Sequence, residues 1–120
     1  MNMIIVGLGG ALGAMLRYAL TLVPLRETLL FPAKTFAVNV LGCLAIGIIA
    51  TLALRGGRLS PRLVLFLRTG VCGGFTTFST FALECAALLK GGHICVAALY
   101  SALSLAVGVG VIIAAEAFAD

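Results

Sequence analysis

The sequence is short of charge. Among its 120 residues are eight Lys or Arg, four Asp or Glu and a single His. His, Cys and carboxylate side chains do not cluster anywhere, so the chain shows neither a nucleophile with its base nor a ligand set for a metal, and it does not read as an enzyme. His93 stands in a glycine turn, where a solvated loop residue is the default. Cys43, Cys72, Cys85 and Cys95 occur singly in apolar sequence with no CxxC pair. They read as small apolar helix residues, not as a zinc site or a disulfide framework. No Lys or Arg precedes the first apolar run, and that run outlasts the core of a cleavable signal, so it reads as a retained helix.

What the chain does have is apolar sequence: 62% of it is hydrophobic and the mean hydropathy is +1.25. A helix needs about 20 apolar residues to cross the hydrocarbon core of a bilayer. Apolar runs over about residues 3–23, 36–54, 63–89 and 94–119 supply four such crossings and leave no room for a soluble domain. The expectation is an all-α, four-helix integral membrane domain running up-down-up-down.

The gaps, "PLRETLLFPAK", "RGGRLSPR" and "KGGH", carry the helix-ending Pro and Gly together with most of the cations. The net charge of +4 therefore reads as membrane-flanking charge, and no nucleic-acid partner is expected. Arg55, Arg58 and Arg62 fall on one side of the membrane, and Arg26, Lys34 and Lys90 on the other; Arg17 and Arg68 lie inside apolar runs. Balanced loops allow insertion both ways up, which favours an antiparallel homodimer.

"MIIVGLGGALGAMLRY" imitates a dinucleotide-binding glycine loop, with Glu27 about 20 residues after Gly7. The sixth position of the motif is Leu12 and the context is a bilayer-length apolar run, so a glycine-faced helix is the better reading. Gly9 with Gly13, Gly70 with Gly74, and Ala102, Ala106 and Gly110 repeat at four-residue spacing, which suits close helix packing, within one subunit or between two. Arg17 beside Tyr18 reads as an interfacial anchor, with a positive pore mouth as the functional alternative.

The third run contains "GVCGGFTTFSTFALE", residues 70–84. Polar side chains at membrane depth are costly and mark pathways or interhelical contacts. Thr76, Thr77, Ser79, Thr80 and Glu84 are joined by Thr35 and Asn39 in the second run and by Tyr100, Ser101 and Ser104 in the fourth. Gly73 and Gly74 are expected to unwind the helix, freeing carbonyls that can hold a small cation. Phe75, Phe78 and Phe81, three apart, wind a stripe whose ring edges are weakly electropositive without formal charge. Such a lining suits a small anion that must also be released.

"GGFTTFSTF", with "TFAVN" and "GGALGAMLRY", resembles the Fluc family of fluoride channels, also called CrcB, across essentially the whole chain. The resemblance implies a passive, fluoride-selective channel in the plasma membrane, built as an antiparallel dual-topology homodimer with two pores. It implies that Phe78 and Phe81 present ring edges to fluoride, that Asn39 is a pore-lining donor, and that Ser79, Thr80, Tyr100 and Ser104 continue the polar path. It further implies a structural sodium ion at the dimer centre, held by the backbone carbonyls of Gly73 and Thr76. Arg17 and Glu84 carry over as vestibule or structural residues, and Phe75 is left out of the site. Selectivity for fluoride over chloride comes from the resemblance, since both ions accept hydrogen bonds. The competing readings are a small multidrug-type proton-coupled exporter, whose first-helix glutamate this chain lacks, and a scaffold subunit, for which the polar third helix has no use.

Overall fold

The computed structural model describes residues 1–25, 30–56 and 58–118, and the regular structure among them is helical throughout. Arg26 and Glu27 in the first loop, and Ala119 at the end of the last expected run, lie outside the described residues. Four segments are long and apolar enough to cross a membrane: α1 (Asn2–Thr21), α2 (Ala33–Leu54), a third crossing (Pro61–Lys90) and α5 (Ile94–Phe118). The third crossing divides into α3, residues 61–75, and α4 (Phe78–Lys90).

Local chemistry sets the ends. Pro32 precedes the first residue of α2, which starts earlier than hydropathy suggests because Lys34 and Thr35 belong to the helix. Ser60 caps α3 by accepting from Leu63 N–H, with Pro61 at the first helical position, where its missing N–H costs nothing. At the end of α4, His93 N–H bonds Leu88 C=O (2.8 Å) and Gly92 N–H bonds Leu89 C=O (3.1 Å). Gly92 takes φ of +81°, which glycine adopts without strain, and this six-residue closure turns the chain straight into α5.

The helices pack through glycine. α1 lies on α3: a Cβ at Gly9 would stand 2.6 Å from Phe66 O, one at Gly70 would stand 2.8 Å from Gly9 Cα, and one at Gly74 would collide with Gly10 O. α2 packs on α5 where Gly47 meets Ile112 and Ala115, and Gly108 meets Cys43. A smaller cluster of Leu88, Ala97 and Tyr100, with Phe31, Phe36 and Phe81 against it, ties α4 to α5. Gly9, Gly13, Gly70 and Gly74 therefore serve packing within the chain, whereas Ala102, Ala106 and Gly110 remain on an exposed face of α5.

Two expectations about the third crossing need correction. Gly73 and Gly74 do not unwind it; both are helical, and the break comes after them, at Thr76 and Thr77. The glycine pair is used for contact, because Gly74 must let α1 approach, while the extended backbone falls to two β-branched residues that favour it. Nor do the three phenylalanines form one helical stripe. Phe75 ends α3 and Phe78 begins α4, so the break resets the angle between them, and Phe75 turns toward Gly42 of α2. Residues Leu65–Cys72 are also wound as a π-helix, which hydropathy did not foreshadow.

Candidate functional site

The break is held by side chains from two other helices. Thr76 (φ −78°, ψ 158°) and Thr77 (φ −149°, ψ 112°) are extended, so their neighbours lose helical partners. Asn39 of α2 supplies both ends of the missing pair: Thr77 N–H donates to its Oδ1 at 2.8 Å, and its Nδ2 donates to Thr77 O at 3.1 Å. From α1, Arg17 Nε donates to Gly74 O at 3.2 Å. Arg17 thus points into the helix cluster, half-buried, and does not snorkel outward as an interfacial anchor would.

The hydroxyls divide by task. Thr76 Oγ1 donates to Cys72 O (2.9 Å) and Ser101 Oγ to Ala97 O (2.8 Å), so both are satisfied on their own backbone. Thr77 Oγ1 caps α4 by accepting from Thr80 N–H (3.2 Å) and donates to Thr80 Oγ1 (3.0 Å). Accepting that bond leaves Thr80 with its own proton to give. Ser79 is exposed, its Oγ 3.4 Å from that of Thr77.

Glu84 is the hub on the α4 side. Its Oε1 accepts from Thr35 at 2.6 Å and its Oε2 from Tyr100 at 2.7 Å, joining α2, α4 and α5. Tyr100 and Ser104, one turn apart on α5, are put to different uses. The tyrosine reaches sideways to the carboxylate and is fully buried, while Ser104 Oγ is buried with no hydrogen-bond partner among the described residues. The rings form a row: Phe78 to Phe81 at 5.7 Å between centroids, Phe81 to Tyr100 at 4.9 Å, and Tyr100 to Phe31 at 5.2 Å edge-on.

Open spaces flank the break. A cavity of about 500 Å³ is lined by Asn39, Gly73, Thr76, Phe78, Phe81 and Ser104, and continues to Arg68 and Ile112. On the other side a cavity of about 460 Å³ holds Lys34, Thr35, Thr80 and Glu84, and a recess of about 80 Å³ brings Arg17 beside Lys34, Thr35, Thr77 and Thr80. Asn39, Phe78, Phe81 and Ser104 thus share one chamber, Thr80 and Glu84 a second, and Arg17 a third. Thr35 and Thr77 were legible only as polar residues at depth; a sequence cannot show that Thr35 meets a glutamate 49 residues away.

The chain matches the family model described as CrcB-like protein, Camphor Resistance (CrcB), over residues 4–116. It is 46% identical over 109 residues to a protein of Methylobacillus flagellatus named fluoride-specific ion channel FluC, covering 89% of this chain and 85% of the relative. Proteins of the same name from Chlorobaculum tepidum (50% over 108 residues; 89% and 85%) and Flavobacterium psychrophilum (44% over 117 residues; 92% and 94%) are similar too.

Proposed function

The chain belongs to the CrcB family, and from that premise we propose that it is a fluoride-selective channel, letting fluoride leave the cytoplasm passively through the plasma membrane. The observation that carries the reading is the ring row Phe78–Phe81–Tyr100 beside the broken helix, where aromatic rings stand close to uncharged donors. Fluoride is small and strongly hydrated, so a path must replace water with close donors and still release the ion. Thr80 has its proton to offer, Asn39 keeps a second amide hydrogen beyond the one given to Thr77, and Ser104 has an unspent hydroxyl. Ser79 adds an exposed hydroxyl, and Tyr100 contributes its ring while its O–H is given to Glu84. The identity of the ion comes from the relatives' names.

An antiparallel homodimer completes this reading. Irregular backbone at membrane depth is tolerated only where protein covers it or it lines a cavity. In the single chain Gly73 and Ser79 are exposed at the break, and Phe78 is 79% exposed, so a second copy is the natural cover. Among the described residues, alternation of the crossings puts Arg55, Arg58, Arg62 and Arg68 toward one side and Arg17, Lys34 and Lys90 toward the other, so neither side dominates.

A sodium ion at the centre of that pair fits the carbonyls. Gly73 C=O loses Thr77 N–H to Asn39, and Thr76 C=O loses Thr80 N–H to the Thr77 hydroxyl, so both oxygens are left for a hard cation. Gly73 has nothing within 4 Å of the place a Cβ would take, which allows a close approach by the second copy. Such an ion would pin the break electrostatically, while fluoride follows the rings and donors. The exporter reading is weaker, because both oxygens of Glu84 are engaged by hydroxyls.

The test is efflux from liposomes loaded with potassium fluoride, with valinomycin to dissipate charge and an electrode outside. Rapid fluoride efflux with little chloride efflux is expected; no efflux from verified folded protein would overturn the channel, and dependence on a proton gradient would favour the exporter. Phe81→Ile removes a ring edge worth roughly 1 kcal/mol, so flux should fall about fivefold with dimerisation intact. Unchanged flux would remove Phe81 from the path.

A further inference from the structure

One cation on the large cavity, Arg68, has no place in the pathway of rings and uncharged donors. Arg68 lies seven residues after Pro61, roughly 10 Å into the crossing at the helical rise, within the π-helical stretch of α3. It lines the same cavity as Asn39, Phe78, Phe81 and Ser104. Arg17, by contrast, lines a separate recess and gives its Nε to Gly74 O.

Arg68 has no hydrogen bond or ion pair with a described residue, and of the two described acids Glu84 is engaged elsewhere and Glu116 is exposed. A guanidinium at membrane depth is costly unless water or an opposite charge meets it. Along the same wall, the Ser104 hydroxyl is buried without a partner. One unneutralised cation and one unspent donor on a single open cavity match a monovalent anion.

Resting on the channel reading, we propose that Arg68 and Ser104 form a loading station for fluoride, where the arginine concentrates the ion at the mouth and the serine receives it on the way to the rings. The charge stays at the mouth, so it raises local fluoride without trapping the ion in the narrow part. In an antiparallel pair each membrane face would carry one such mouth.

The experiment is the fluoride dependence of efflux from reconstituted wild type, Arg68→Gln, Arg68→Lys and Ser104→Ala. Arg68→Gln should raise the half-saturating fluoride concentration about tenfold with little change in maximal rate, and should weaken the dependence on ionic strength. Arg68→Lys should restore most of the wild-type curve, and Ser104→Ala should lower the maximal rate. A dimeric Arg68→Gln protein with the wild-type curve and salt dependence would overturn the proposal and leave Arg68 as a lipid-side anchor.

A second measurement needs no transport. With the four native cysteines replaced by alanine, Arg68→Cys should react with a water-soluble anionic methanethiosulfonate, and resistance to it would also overturn the station. Wild type that passes no fluoride while Arg68→Cys is labelled would count against the channel reading and leave the water-facing position of residue 68 standing.

Discussion

Gly13→Ala is expected to leave little folded protein, whereas Gly7→Ala should fold and melt as the parent does. A Cβ at Gly13 would overlap the Val71 carbonyl oxygen and stand 2.8 Å from Phe75 N, and both atoms are backbone, so no side chain can swing aside. Relief requires α1 and α3 to separate along their whole contact. Overpacking of an ordinary core costs about 1–3 kcal/mol, and a clash with fixed backbone belongs at or above the top of that range. At Gly7 nothing lies within 4 Å of the added atom. Recovery of monodisperse protein and its melting temperature in detergent decide the matter; equal behaviour of the two variants would show that α1 does not seat on α3 through Gly13.

Asn39→Ala should cost both stability and flux. The substitution strands Thr77 N–H and Thr77 C=O together, and each unsatisfied buried group costs about 1–3 kcal/mol, more where no water reaches. The break would then relax toward continuous helix, with Thr77 N–H returning to Gly73 C=O and displacing that carbonyl from any cation. A fall in flux of at least about tenfold, with a lower melting temperature, is expected. Asn39→Asp separates the two roles. It keeps an acceptor for Thr77 N–H, so most of the stability should survive, but it loses the amide donor and places a carboxylate in an anion path, so flux should still be lost. Wild-type flux in Asn39→Ala would mean that the break stands without its cap.

How much of this was legible differs from residue to residue. Four apolar runs separated by Pro, Gly and charge were enough for four crossings, because the bilayer imposes one length on every helix. The turn at Gly91 and Gly92 was equally plain, since few residues but glycine take the positive φ found at Gly92. The density of Thr, Ser and Phe after Gly74 announced a special segment. Its internal division was less readable: the glycines looked like the break, yet Gly74 is a contact for α1, and Thr76 and Thr77 carry the extended backbone. Arg17 looked like an anchor because nothing near it in sequence shows a carbonyl waiting 57 residues later.

Composition and periodicity are local properties, and hydropathy acts on each segment independently of the rest, so the membrane class, the number of crossings and the polar third segment follow from the order of residues alone. The partners of polar groups are not local. Which carbonyl Arg17 reaches, that Asn39 closes the break and that Glu84 joins Thr35 to Tyr100 depend on helices packed at glycine distance. A buried donor takes the acceptor that packing brings within 3 Å or so, however far away it lies in the chain. That choice is made only once the helices have met.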